Sequence, residues 1–166
     1  TADLASPVGN SSPSLAAINT NKYIDVEFLP SKAAKIKADS ITDADPEFTL
    51  SGDGVGSVVV NGAPTAVAGQ PGVYRYTFTG DFVAGKVNVN FTAGSFTDDA
   101  TKLNLAETET YQLTMPSVVL AGPEDDKSIS VTDINGSKYI VVRYSTPDGT
   151  ALDTSTIGGD EFTLSG

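Results

Sequence analysis

Cysteine and histidine are both missing from the 166 residues. Without cysteine there can be no disulfide, zinc–thiolate or iron–sulfur site. Without histidine the chain lacks the usual general base, the usual proton shuttle and the commonest metal ligand. Positive charge is scarce: ten Lys and Arg stand against 21 Asp and Glu, for a net charge of −11. The few basic residues form no continuous stripe, which speaks against a nucleic-acid partner. No apolar run approaches the ~20 residues that a membrane-spanning helix needs. No secretory leader is legible, although Thr1 need not be the native start. Phosphate-binding loops, nucleophile elbows and metalloprotease helix motifs do not occur. An enzyme made from this chain would have to work with Asp, Glu, Lys, Ser or Tyr alone. Hydrophobic content is an ordinary 39%, so a buried core is feasible.

The dominant positive feature is an internal repeat. Residues 4–28 align without a gap on 120–144, an offset of 116, with Leu4, Ala5, Pro7, Ser12, Ser14, Ile18, Asn19, Lys22, Tyr23, Ile24 and Val26 all recurring. After a two-residue deletion, Glu47-Phe48-Thr49-Leu50-Ser51-Gly52 returns as Glu161-Phe162-Thr163-Leu164-Ser165-Gly166. Solenoid repeats run ~20–50 residues, so this period fits a whole domain. The expected organisation is one domain over 1–115, followed over 116–166 by a seam and the amino-terminal part of a second copy. The seam, Tyr111–Pro123, contains no long Ser/Gly/Pro tract, which predicts closely coupled neighbours rather than loose tethers.

Within each copy the pattern is β. Ile24, Val26 and Phe28 alternate with Asp25 and Glu27, Tyr74, Tyr76 and Phe78 with Arg75 and Thr77, and Val87, Val89 and Phe91 with Asn88 and Asn90. Such alternation suits antiparallel strands with one packed face. Further strands are expected near Glu47–Leu50, Ser57–Val60, Thr110–Met115, Ile129–Asp133, Lys138–Tyr144 and Glu161–Leu164, with Ser117–Ala121 extended. Asn135-Gly136 is a type I′ hairpin signal. It predicts a turn joining Ile129–Ile134 to Ser137–Tyr144, with Asn19-Thr20-Asn21 as its counterpart. Only Lys32–Ala38 reads as helical. Seven or so short strands with turns between them predict an all-β antiparallel sandwich of about 100 residues.

The order of these segments resembles the bacterial immunoglobulin-like repeats of large surface proteins and adhesins. The corresponding segments are Ile24–Phe28, Asp39–Asp45, Phe48–Gly52, Tyr74–Phe78, Asp81–Gly85 leading into Val87–Phe91, and Ala93–Asp98. Where the family continues into an Asp-x-x-Gly-Asn turn, the chain reads Asp98-Asp99-Ala100-Thr101-Lys102-Leu103-Asn104, without the glycine. The resemblance implies an immunoglobulin-like sandwich in tandem, serving as a stalk or spacer outside a bacterial cell, and implies no catalysis.

The acidic residues offer two groups of calcium candidates. Asp43, Asp45 and Glu47 alternate along one extended segment with Asp39 nearby, and Asp98, Asp99, Asp125 and Asp126 flank the seam. Ca²⁺ takes six to eight oxygen ligands, and such clusters can supply some of them. The repeat weakens a site in every copy: aligned on the second copy, Asp43 and Asp45 meet Ile157 and Gly159, while Asp39 meets Asp153 and Glu47 meets Glu161. Solvated loop acids are the simpler reading of both groups. Tyr23, Tyr74, Tyr76, Phe78, Phe91 and Tyr111 could form a sugar platform but at strand spacing read as core. The expected function is a structural stalk or extender of a secreted or surface-anchored protein, with no required cofactor. Its partners would be neighbouring repeats or identical subunits. Two alternatives are a strand-exchanging filament subunit and a glycan- or protein-binding module using the loops Lys32–Asp45 and Ser51–Gly56.

Overall fold

The period-two alternation becomes the inner faces of two antiparallel sheets in the computed structural model, which describes residues 1–32 and 34–165. The chain divides into two units, Thr1–Met115 and Pro116–Gly166. In the first, strands β1 (Ala2–Ser6), β2 (Tyr23–Phe28), β4 (Val59–Val60) and β6 (Val73–Thr79) form one sheet in the order β1-β2-β6-β4, with β5 (Thr65–Ala66) also on β6. Strands β3 (Phe48–Ser51), β7 (Gly85–Phe91) and β8 (Glu107–Leu113) form the other, in the order β3-β7-β8.

Both sheets contribute to one core. Ile24, Val26 and Phe28 from β2 and Tyr74, Tyr76 and Phe78 from β6 meet Phe48, Val87, Val89, Phe91, Tyr111 and Leu113. Each fully buried side chain of this size stabilises by about 1.5–3 kcal/mol. Ring pairs such as Phe28–Phe96, 4.7 Å between centroids, and Phe48–Tyr76, 4.8 Å, meet edge to face, the arrangement the ring quadrupole favours. After β1 the chain changes sheets. Asn10 donates its N–H to the Thr110 carbonyl at 2.6 Å, Gln112 to Ser11 at 2.9 Å and Thr114 to Pro13 at 3.1 Å, so residues 10–14 run along β8.

The second unit repeats the local structure of the opening of the first at the same offset of 116. Strand β9 (Ser117–Gly122) pairs antiparallel with β10 (Val141–Ser145). The register Val118↔Tyr144, Val119↔Arg143, Leu120↔Val142, then a bulge and Gly122↔Val141 copies Ala2↔Phe28, Asp3↔Glu27, Leu4↔Val26, bulge, Ser6↔Asp25. Helices α1 (Leu15–Asn21) and α2 (Val131–Ser137) also coincide. So do their caps: the Ser14 hydroxyl accepts from the Ala17 N–H, and the Ser130 hydroxyl from the Asp133 N–H. Lys22 and Lys138 close the helices in left-handed conformation at φ 57° and 58°.

Several sequence expectations are corrected. Ile129–Asp133 is not a strand and Asn135-Gly136 is not a hairpin turn. Both dipeptide residues lie inside α2, and Asn19-Thr20-Asn21 lies inside α1. The serine N-caps start these helices; the chain then reverses at Lys138, whose N–H donates to the Ile134 carbonyl at 3.0 Å. The expected helix at Lys32–Ala38 is not seen among its described residues, Ala33 lying outside them: Ile36 bridges to Asp98, and Ala38 opens a 3₁₀ turn, Ala38–Ser40. Glu161–Leu164 is irregular: among the described residues no strand pairs with it as β7 pairs with β3. The second 3₁₀ turn, Thr154–Thr156, matches Ala38–Ser40 at offset 116. The two-residue deletion therefore falls after Ile157, and Asp39 corresponds to Ser155 rather than to Asp153.

Candidate functional site

The loop from the first 3₁₀ turn to β3 carries three of the acidic candidates. Asp43 and Asp45 are exposed, and the Asp43 carboxylate accepts the Asp45 N–H at 3.0 Å. Glu47 is 1% exposed. The next residue, Phe48, is in the core. The Tyr76 hydroxyl donates to Glu47 Oε2 at 2.7 Å, whereas Oε1 has no partner. Burial holds the Glu47 carboxyl above its ordinary value despite the Tyr76 hydrogen bond, and Asp43 and Asp45 push the same way. Burial and the neighbouring carboxylate push the Tyr76 hydroxyl upward too. Glu47, Tyr76, Asp43, Asp45, Asn61 and Pro64 are among the residues lining a cavity of about 200 Å³. That is below the ~300–1,000 Å³ of ordinary small-molecule sites. Chemically this is a buried carboxyl disposed to hold a proton, with a phenol as its donor.

The remaining candidates are dispersed. Asp39 is exposed on the 3₁₀ turn. Asp98 is buried and engaged: Oδ2 accepts from the Ser31 N–H at 3.1 Å and from the Ser31 hydroxyl, and Oδ1 from the Lys102 N–H at 2.9 Å. Those hydrogen bonds, the Ser31 hydroxyl first, hold its carboxyl below the ordinary range. Exposed Asp99 accepts from the Lys35 N–H at 3.0 Å, and exposed Asp125 from the Asp126 N–H at 3.1 Å. Asp126 takes a left-handed φ of 56°.

Among the described residues the trio of carboxylates that comes together is another one. Oxygens of Asp3, Glu107 and Glu109 lie within 4.8 Å of one another, all three half-buried. Glu109 Oε2 accepts the Leu4 N–H at 2.6 Å, and burial, then Asp3 and Glu107, raise its carboxyl. Two of the three were visible in the sequence, since Glu107 and Glu109 stand two apart on one face of β8. Asp3 lies over a hundred residues away and joins because β1 runs beside β8. A second unforeseen constellation is the Asp25–Arg75 pair. Arg75 donates from Nε and Nη2 to the two Asp25 oxygens at 2.7 Å each, and its guanidinium lies 3.5 Å from the Tyr23 ring centre. This clasp ties β2 to β6.

In the second unit the residues equivalent to core positions are open. Phe48 is 5% exposed and its counterpart Phe162 is 52%; Leu4 is 5% and Leu120 is 39%. Among the described residues β10 has a ladder partner on one edge only, β9, whereas β2 is held on both sides by β1 and β6. No protein-family model matches the chain, and neither the curated proteins nor the solved structures contain a match.

Proposed function

We propose that the chain is a tandem immunoglobulin-like module acting as a stalk or extender of a large extracellular bacterial surface protein, with a structural rather than catalytic role. The observation that carries this reading is the recurrence, 116 residues on, of β1–α1–β2 with its caps, bulge and 3₁₀ turn. A strand order of β1-β2-β6-β4 against β3-β7-β8 also supports it, for seven-stranded immunoglobulin sandwiches place their strands this way. In such a module the second unit is the opening of a second sandwich. Its partners are neighbouring repeats of the same polypeptide, and repetition supplies length. The −11 charge keeps neighbouring molecules soluble and apart. Calcium has no required part in this reading.

The test is the intact mass of the native polypeptide from its source under denaturing conditions. The expected result is a mass many times 17.1 kDa, with extended rods in electron micrographs whose length grows with repeat number. A mass near 17.1 kDa would overturn the stalk in favour of a filament subunit.

A further inference from the structure

Asn-Gly, the dipeptide most prone to react with itself, occurs twice, as Asn61-Gly62 and Asn135-Gly136. In that reaction the glycine nitrogen attacks the asparagine Cγ. A side chain on the second residue would hinder the approach, and glycine has none. The fold places the two copies in opposite settings. Asn61 directly follows the edge strand β4 and is exposed. Its N–H donates to the Thr77 carbonyl at 2.8 Å, and its Nδ2 donates to the Thr77 hydroxyl at 2.9 Å. Beyond it the restraint ends. Among the described residues the Gly62 N–H has no hydrogen-bond partner, and nothing beyond its chain neighbours lies within 4 Å of where a Cβ would stand. Asn135 and Gly136 instead lie inside α2. There a helical N–H points back along the axis to the carbonyl four residues earlier, away from the side chain before it.

We propose that the fold leaves Asn61-Gly62 as a self-modification site and shields Asn135-Gly136, so that Asn61 deamidates through a succinimide in the folded chain. The Gly62 nitrogen forms a bond to Asn61 Cγ, and the bond from Cγ to Nδ2 breaks. Nδ2 leaves as ammonia, taking the Gly62 amide proton. Water then opens the ring. Attack at Cγ gives aspartate in the normal chain, whereas attack at the main-chain carbonyl gives a β-linked aspartyl residue. A water is consumed for each ammonia released, and no other reagent is needed. Both products carry a new negative charge where Asn61 lines the cavity with Asp43, Asp45 and Glu47. Both also lose the amide that donates to Thr77. The β-linked form further inserts a methylene between β4 and β5, which are both paired with β6. The site depends on this local geometry and not on the stalk reading, so a failed test of the native mass would leave it standing.

The experiment incubates the full chain in warm neutral buffer over days and follows its tryptic peptides by mass. Trypsin leaves Asn61 in the peptide 38–75 and Asn135 in the peptide 128–138, each with no other asparagine. The expected result is that 38–75 gains the mass of OH in place of NH₂, as two chromatographically separate products, while 128–138 lags several-fold behind. In urea the two peptides should gain it at similar rates. Asn61→Gln should abolish the gain, which separates it from any change at Gln70. Gly62→Ala should slow it several-fold; Gly62 is not left-handed and has open space for a Cβ, so this variant keeps the turn, checked by an unchanged circular dichroism spectrum. A peptide 38–75 that gains mass in urea but not in the folded chain overturns the proposal, by showing that the turn protects Asn61. A folded chain in which 128–138 reacts as fast as 38–75 overturns it too, as does a gain that persists in Asn61→Gln.

Discussion

Glu47 and Asp98 are both buried carboxyls, yet their surroundings drive them in opposite directions. Glu47 is stripped of water with one oxygen unpartnered, so the fold favours its protonated form. Its folded value lies above the ordinary 4.5; the stability it contributes is complete below that pH and falls as pH rises through the folded value. Asp98 accepts hydrogen bonds that favour its charge, so its contribution is present above the ordinary 3.8 and is lost as pH falls through the lowered value. Urea unfolding from pH 3 to 8 should therefore lose a declining component on the alkaline side in Glu47→Gln, and an acid-side loss in Asp98→Asn. Parallel wild-type and variant curves would refute the assignments. Thr101 makes a different prediction. It holds a φ of 61°, three residues after Asp98, in the left-handed region that favours glycine. A left-handed conformation costs an L-residue ~1–2 kcal/mol, and glycine gives back ~0.5–1 kcal/mol in unfolded-chain entropy. Thr101→Gly should stabilise by up to about 1 kcal/mol, read as a higher urea midpoint at unchanged slope.

Helices α1 and α2 show how one local signal displaces another. Asn-Gly between apolar runs favours a two-residue hairpin, but a serine five positions before the asparagine caps a helix first. Ser130 with Asp133 three residues later even has the form of a capping box. In the first copy Ser14 does the same with no acid at Ala17, and Ile18 is buried there at 5%. The hydrogen bonds that make the short helix viable are thus a serine cap and a lysine reversal, both preserved in the repeat. Ser14→Ala should cost about 1 kcal/mol of stability in the first unit, measured by thermal unfolding. Ser130→Ala should leave that transition unmoved, because its helix belongs to the second unit. The β-strands were easier to read than the helices, since a period of two survives in four or five residues. A seven-residue helix spans barely two turns and leaves little period to detect.

For the chain as a whole, the two units differ in how much apolar surface they cover. Val118, Val119, Leu120, Ile129, Val131, Tyr139, Val141, Phe162 and Leu164 are all exposed in the second unit. Limited proteolysis should accordingly cut first beyond Met115 and leave a resistant fragment of 1–115, identified by mass. Early cutting between β2 and β6 would contradict that order of stability.

Strand faces, the repeat and the excluded chemistries were legible in the residues themselves. Each depends on side-chain identity at short spacing, or on likeness between two stretches of the same chain. Ile24, Val26 and Phe28 had to face one way whatever they packed against. Sequence alignment also found the deletion in the repeat, but only the coincidence of two 3₁₀ turns located it after Ile157. Tertiary structure decided the rest. It brought Asp3 to Glu107 and Glu109, clasped Asp25 with Arg75, and closed Tyr76 over Glu47, partners that lie 29 to 106 residues apart along the chain. No period or propensity encodes such meetings. They follow from which strand edge pairs with which, and that is fixed only when the whole apolar surface of the sandwich is buried at once.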